Sequence, residues 1–277
     1  MKTFFGASLA LVLWFTCASG PETDTIKDGP MEVEVTIPAV SKITSTYEDG
    51  LLIQTETLEY GEWGNLLLRT ITNSQGELVK EFKGIEYSDN QGAVEEYDAA
   101  GKLLSKTVME FKPTGQVISE ELYNADDELM SRSEYSYNED GQVLSWVVLN
   151  GDGVQQAQTN YIYENGLLMK KETADSSGKV VDVFEITRDE ASRITSEKRK
   201  DMTAGGKTLS STVYVYEGGQ LIREEMRDQN NQIRTQIEFT WDDEGNMTQE
   251  IISDRRGIVL QIKNYEYTTV KAVELVY

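Results

Sequence analysis

Short runs of apolar and polar positions follow one another along this chain, and Gly, Asn and Asp punctuate them at regular intervals. The first clear run sets Met31, Val33, Val35 and Ile37 against Glu32, Glu34 and Thr36, the two-residue period of a half-buried strand. Pro38 is expected to end that strand or to place it at an edge. From Ser41 onward come turn segments such as Glu48-Asp49-Gly50, Asn90-Gln91-Gly92, Glu139-Asp140-Gly141, Gly151-Asp152-Gly153 and Asp243-Glu244-Gly245. Beyond Gly115 they recur mostly every 12 to 14 residues. Removing about three residues per turn leaves strands of roughly nine to eleven residues, about 30 Å long. Asn165-Gly166 and Gly218-Gly219 are two-residue hairpin signals, because both positions tolerate the positive φ that the tight turn needs. Beyond the N-terminal segment no stretch holds a helical period with caps.

A longer period lies over the alternation. Tyr60, Tyr87, Phe111, Tyr137, Tyr163, Tyr216, Trp241 and Tyr267 are separated by 27, 24, 26, 26, 53, 25 and 26 residues, with Arg188 near the vacant place in the double gap. Most have an apolar or aromatic partner two positions earlier, as in Leu58, Met109, Tyr135, Tyr161, Tyr214 and Phe239. A fixed period of this length marks a repeat architecture, here one of two antiparallel strands per unit. Residues two apart share a face of a strand, so the aromatics read as a structural ladder stacked along the sheet. Strand centres such as Val117-Ile118-Ser119-Glu120-Glu121 carry polar residues in both registers, so the sheet is expected to be wet on at least one face. The expected fold is all-β: an elongated antiparallel meander of some sixteen strands. Such a sheet is long enough that it must be twisted or curled. An exposed edge or concave face would suit strand addition by a peptide.

The units Tyr135-Ser-Tyr137-Asn-Glu-Asp-Gly141-Gln-Val143-Leu and Tyr161-Ile-Tyr163-Glu-Asn-Gly166-Leu-Leu resemble the YD, or RHS, repeat. So do Tyr214-Val-Tyr216-Glu-Gly-Gly219-Gln-Leu221 and Phe239-Thr-Trp241-Asp-Asp-Glu-Gly245-Asn-Met247. The resemblance covers about residues 43–267 and implies hairpins that build long, curling antiparallel sheets. The unit here is longer than the family's, and the chain is too short for the shell and C-terminal toxin domain of the family's large toxins. The resemblance therefore speaks to architecture more than to activity.

At the N-terminus, Met1-Lys2 precedes an apolar run from Phe4 to Phe15 and then small residues, the layout of an export signal over 1–18. Cys17, the one cysteine of the chain, resembles in position the lipidated cysteine of bacterial lipoproteins. Trp14, Phe15 and Thr16 depart from the usual motif before that cysteine, although spirochaetal lipoproteins have a looser one. Ordinary cleavage after Ala18 is the competing reading. Residues 19–30, with two Pro and two Gly, read as a flexible tether. Residues 31–277 read as a single β-repeat domain.

The charge and the missing residue types then narrow the chemistry. With 26 basic against 48 acidic residues, net −22, nucleic acid is a poor partner, since binding it draws on Lys and Arg. The chain has no His, which removes Ser-His and Cys-His nucleophiles and imidazole metal sites. With Cys17 the only thiol, zinc fingers and redox pairs are excluded as well. No phosphate-binding Gly motif occurs. Neither a cofactor nor a metal site is expected, and the acidic turns are explained by turn chemistry. The expected function is a non-enzymatic cell-envelope lipoprotein, periplasmic or at the cell surface. It would be a binding or structural module for another envelope protein or a peptide, touching the membrane only through its lipid. The alternative is a secreted carboxylate-dependent hydrolase, whose acid pair sequence cannot single out. Any site is expected in a departure from the ladder, at residues 186–207 with Lys198-Arg199-Lys200.

Overall fold

The computed structural model describes residues 31–276 apart from 63 and 89, with side chains described over 34–272 apart from 63 and 86–89. The chain divides into two units, Glu34–Ala272 and the terminal pair Met1–Val33 and Val273–Tyr277; the contacts below belong to the first. The export signal, Cys17 and the tether lie outside the described residues, as does the side chain of Tyr87.

The described residues form eighteen strands. The first nine are β1 (Met31–Thr46), β2 (Leu52–Tyr60), β3 (Leu66–Asn73), β4 (Leu78–Ser88), β5 (Gln91–Asp98), β6 (Leu103–Phe111), β7 (Val117–Asn124), β8 (Leu129–Tyr137) and β9 (Val143–Asn150). The rest are β10 (Gln155–Glu164), β11 (Leu167–Asp175), β12 (Val180–Arg188), β13 (Ile194–Asp201), β14 (Lys207–Glu217), β15 (Gln220–Asp228), β16 (Ile233–Trp241), β17 (Met247–Asp254) and β18 (Val259–Val276). Every strand pairs antiparallel with the next, and β1 also pairs with β18.

The meander is therefore a closed barrel. This corrects the expected elongated, merely twisted or curled sheet of some sixteen strands, and it removes the sheet edge to which a peptide was expected to add. The physical reason lies in the registers. Each described pairing of consecutive strands carries a register shift, for example between Ser136 and Tyr137 and between Thr240 and Trp241. Such bulges bend a strand and increase its twist, and one per pair curves the whole sheet until its ends meet. Pro38 does not end β1, which runs on to Thr46; its register with β2 covers only Lys42 to Thr46, so the missing N–H falls outside that ladder.

A ring of eighteen strands is too wide for side chains to fill. Accordingly, Ala93, Val183, Ile186 and Val270 are the only buried apolar residues among those described. Directly opposed residues share a face, so Tyr135, Trp146, Thr159, Lys171, Phe184 and Arg199 lie on one face, called here the ladder face. The opposite face carries Glu121, Arg132, Glu172, Glu185, Arg223 and Arg227. Both faces mix charge with apolar groups, as the two polar registers of the sequence require.

With so small a core, local bonds matter more. Most turns use one five-residue loop. In it an Asn or Asp side-chain oxygen accepts the N–H groups two and four residues on, and the residue three on has positive φ. Asn73 receives Gln75 and Glu77 at 2.9 and 3.0 Å, and Asp189 receives Ala191 and Arg193 at 3.0 and 2.9 Å. The positive-φ place holds Gly76, Gly141 and Gly245, and also Asp127, Ser192 and Asn231. Asn165-Gly166 and Gly218-Gly219 have positive φ at both residues, as the two-residue turn predicts.

Candidate functional site

Most of the ladder residues stand at or near the ends of the even-numbered strands, at one rim of the barrel; Tyr267 lies inside β18, which runs on to Val276. Five of them donate a hydrogen bond to a backbone carbonyl twenty residues earlier. The hydroxyls of Tyr60, Tyr137, Tyr163 and Tyr267 reach Val40, Val117, Val143 and Met247 at 2.9, 2.6, 2.9 and 2.8 Å. Trp241 Nε1 reaches Leu221 at 2.8 Å. Four of the acceptors begin or nearly begin the preceding strand, at the end farthest from the joining turn; Val40 lies inside β1, just beyond the stretch that pairs with β2. The bond therefore closes the open end of a hairpin, where fraying would start.

Arg188 fills the vacant place: its Nη2 donates to Leu168, again twenty residues back, at 3.2 Å, and its Nη1 to Ser192 at 2.7 Å. The double gap of 53 residues thus divides into 25 and 28 (188 − 163 and 216 − 188). What Tyr, Trp and Arg share is a donor at the tip of a long side chain. Phe111 lacks one. Ring stacking, the role expected from sequence, is limited among described residues to Tyr135 and Trp146, at 6.4 Å between centroids. Cations cover other rings: Lys112 lies 4.4 Å over Tyr137 and Arg193 4.8 Å over Tyr216.

These bonds give a direct expectation. Tyr163→Phe removes one hydrogen bond from a half-buried carbonyl and should cost about 0.5–1.5 kcal/mol. Arg188→Tyr should retain most of the wild-type stability, whereas Arg188→Ala should lose as much as Tyr163→Phe or more. Urea unfolding followed by circular dichroism reads all three. Equal losses in Arg188→Tyr and Arg188→Ala would show that the donor at this place is immaterial.

Below the rim, the ladder face from β13 to β18 alternates carboxylates and rings: Glu197, Tyr214, Glu224, Phe239, Glu250, Tyr265. Burial, with the nearby carboxylates Glu197 and Glu224, pushes the Tyr214 phenol up. Burial and Glu250 do the same to Tyr265. The Tyr214 hydroxyl donates to Glu197 and the Tyr265 hydroxyl to Glu250. Burial, then repulsion from Glu250 and Glu197, holds Glu224 above the ordinary carboxylate range. Within this run Lys263 pairs with Glu250 at 3.1 Å, and elsewhere on the face Arg69 pairs with Glu56, Lys80 with Glu96 and Arg199 with Asp182 at 2.6, 2.5 and 2.6 Å.

The structure disperses the segment from which a site was expected. Arg199 lies on the ladder face against Asp182 and Phe184, while Lys198 and Lys200 lie on the opposite face. Lys200 pairs there with Glu185 at 2.5 Å. No basic cluster forms, because adjacent residues of a strand point to opposite faces. Among the described residues no group of three or more acidic side chains is placed to hold a metal ion. A cavity of 370 Å³ lies beside Thr212, Met226, Asp228 and Arg234; one of 580 Å³ lies beside Thr36, Tyr60, Thr268 and Lys271. In the first, Arg234 is 3.6 Å from Asp228. In the second, Lys271 is held by Glu34 and Glu62.

No family model matches the chain, and no curated protein matches it. Among solved structures, it is similar to a porin-like protein from Bacteroides uniformis at 13% identity over 83% of this chain and 96% of that one, with a TM-score of 0.47. A porin-like protein from Bacteroides vulgatus matches at 13% identity over 83% and 98%, with a TM-score of 0.37. The Tc holotoxin pore of Photorhabdus luminescens matches at 14% identity over 83% of this chain but 15% of its own, with a TM-score of 0.28.

Proposed function

We propose that this chain is an exported, non-enzymatic protein of a bacterial cell envelope, lipid-anchored through Cys17, whose YD-type hairpin barrel serves as a binding or structural module. The observation that carries this reading is the use made of the polar groups. Rim donors fasten backbone carbonyls, and the turn carboxylates cap loops. Many of the remaining charges pair with neighbours. Those groups serve the framework.

The same chemistry speaks to the membrane. A barrel spanning a bilayer needs an outward apolar band about 25 Å tall, and an Arg or Lys at mid-depth costs about 2–4 kcal/mol. Here each face carries charges at strand centres, Arg69, Glu120 and Arg199 on one and Glu121, Arg132 and Glu225 on the other. Neither face suits lipid. Contact with the membrane then falls to an acyl chain on Cys17, and the module meets its partner, an envelope protein or a peptide, in water.

Metabolic labelling with a fatty-acid probe tests the anchor. Wild type should take up label and travel with membranes, and Cys17→Ala should do neither. An unlabelled wild type would overturn the anchored reading in favour of plain secretion.

A further inference from the structure

Seventeen junctions in the ring join consecutive strands; the eighteenth joins β1 to β18, the first strand to the last. That seam differs from the rest in kind. A hairpin that frays is held by its turn and re-forms locally. The seam brings together residues 225 apart in sequence, such as Ser41, whose Oγ donates to the Glu266 carbonyl at 3.2 Å. Its side-chain bonds are exposed ion pairs. Lys42 meets Glu266 at 2.6 Å, and Lys271 meets Glu34 at 2.8 Å. Salt screens such pairs. Opening the seam therefore breaks no tight turn, and it leaves two bare rows of N–H and C=O groups.

Those rows have one known complement in shape and register: β18 fits the edge of β1, and β1 fits the edge of β18. A second copy carries both. We propose that the seam opens reversibly and that two copies exchange there, each β1 pairing with the partner's β18 in a two-fold arrangement that repeats the native contacts. Salt acts twice in the same direction. It weakens the seam's ion pairs, and it screens the repulsion between two chains of net charge −22.

The exported chain carrying Cys17→Ser has no other cysteine, so the pair Lys42→Cys and Glu266→Cys can be oxidised across the seam. Light scattering after gel filtration, and energy transfer between differently labelled preparations, should show dimer and exchange rising with salt and protein concentration in the reduced protein. Oxidation should abolish both, and reduction should restore them. Lys42→Ala with Glu266→Ala should speed exchange about two- to fivefold at low salt. Dimer formed equally by the oxidised protein would overturn the proposal. So would a reduced protein that stays monomeric at every salt, or an alanine pair that exchanges at the wild-type rate.

Discussion

Gly84→Ala should be among the most damaging single substitutions in the barrel, although it adds one methyl group. A Cβ at Gly84 would sit 1.7 Å from the Leu66 carbonyl oxygen, a backbone atom that cannot move without its strand. Gly151 is similar, with the Leu129 carbonyl oxygen at 2.0 Å. Neither glycine has positive φ, so the cost is steric. Forcing a group into such a contact costs roughly 1–3 kcal/mol or more. For a chain of this size that corresponds to a melting temperature lower by about 2–4 °C for each kcal/mol. Gly76→Ala is the control. Its Cβ would meet nothing within 4 Å, but its φ is +79°, so the loss there is one of backbone strain alone. Thermal melts of the three variants should rank Gly84→Ala and Gly151→Ala as less stable than Gly76→Ala. Unchanged melting in Gly84→Ala would mean that strands β3 and β4 are not as close as described.

These glycines show where sequence reading stopped. Gly141 and Gly245 were legible as turn residues because the turn's φ is a local matter. Gly151 looked the same in Gly151-Asp152-Gly153, yet only Gly153 takes positive φ there. What Gly151 accommodates is a strand that approaches through the barrel's register, and no local pattern reports that. Hairpin length, antiparallel order and the 26-residue unit were legible because each is set within a single repeat. Closure was not, since it depends on small bends added over eighteen strands. The ladder's spacing is plain in the sequence, but what the side-chain tips bind is not. Reading Tyr, Trp and Phe as rings hid the fact that Arg188 belongs with them, and the shared donor would have been the better criterion. Lys198-Arg199-Lys200 illustrates the converse, a sequence cluster that the two-residue period of a strand takes apart.

The turn loops lead to a prediction about acid. The carboxyls of Asp175, Asp189, Asp228 and Asp242 are held below the ordinary range, chiefly by hydrogen bonds to the charged oxygen from Ser177, Arg193, Gln232 and Asn246 respectively. Asp201 is held down in the same way by Thr203. At Asp254 burial pulls upward, but the Arg256 and Ile258 N–H groups prevail. Each group binds its proton less readily folded than unfolded. The unfolded chain therefore takes up more protons as pH falls, and the stability these loops supply is present above the unfolded value of 3.8 and lost below it. The chain also contains its own control. Asn73, Asn124 and Asn150 occupy the same place in other turns and accept the same two N–H groups without titrating. Replacing all six aspartates by asparagine should therefore leave stability near neutral pH close to wild type and move acid unfolding to lower pH. Equilibrium urea unfolding at a series of pH values from neutral downward measures both. A six-fold variant that unfolds in acid at the same pH as wild type would show that the turn carboxylates do not govern the acid limb. The carboxylates of the ladder face, Glu224 foremost, would remain to explain it only with the opposite sign, because a raised carboxyl makes the fold more stable as pH falls toward its folded value.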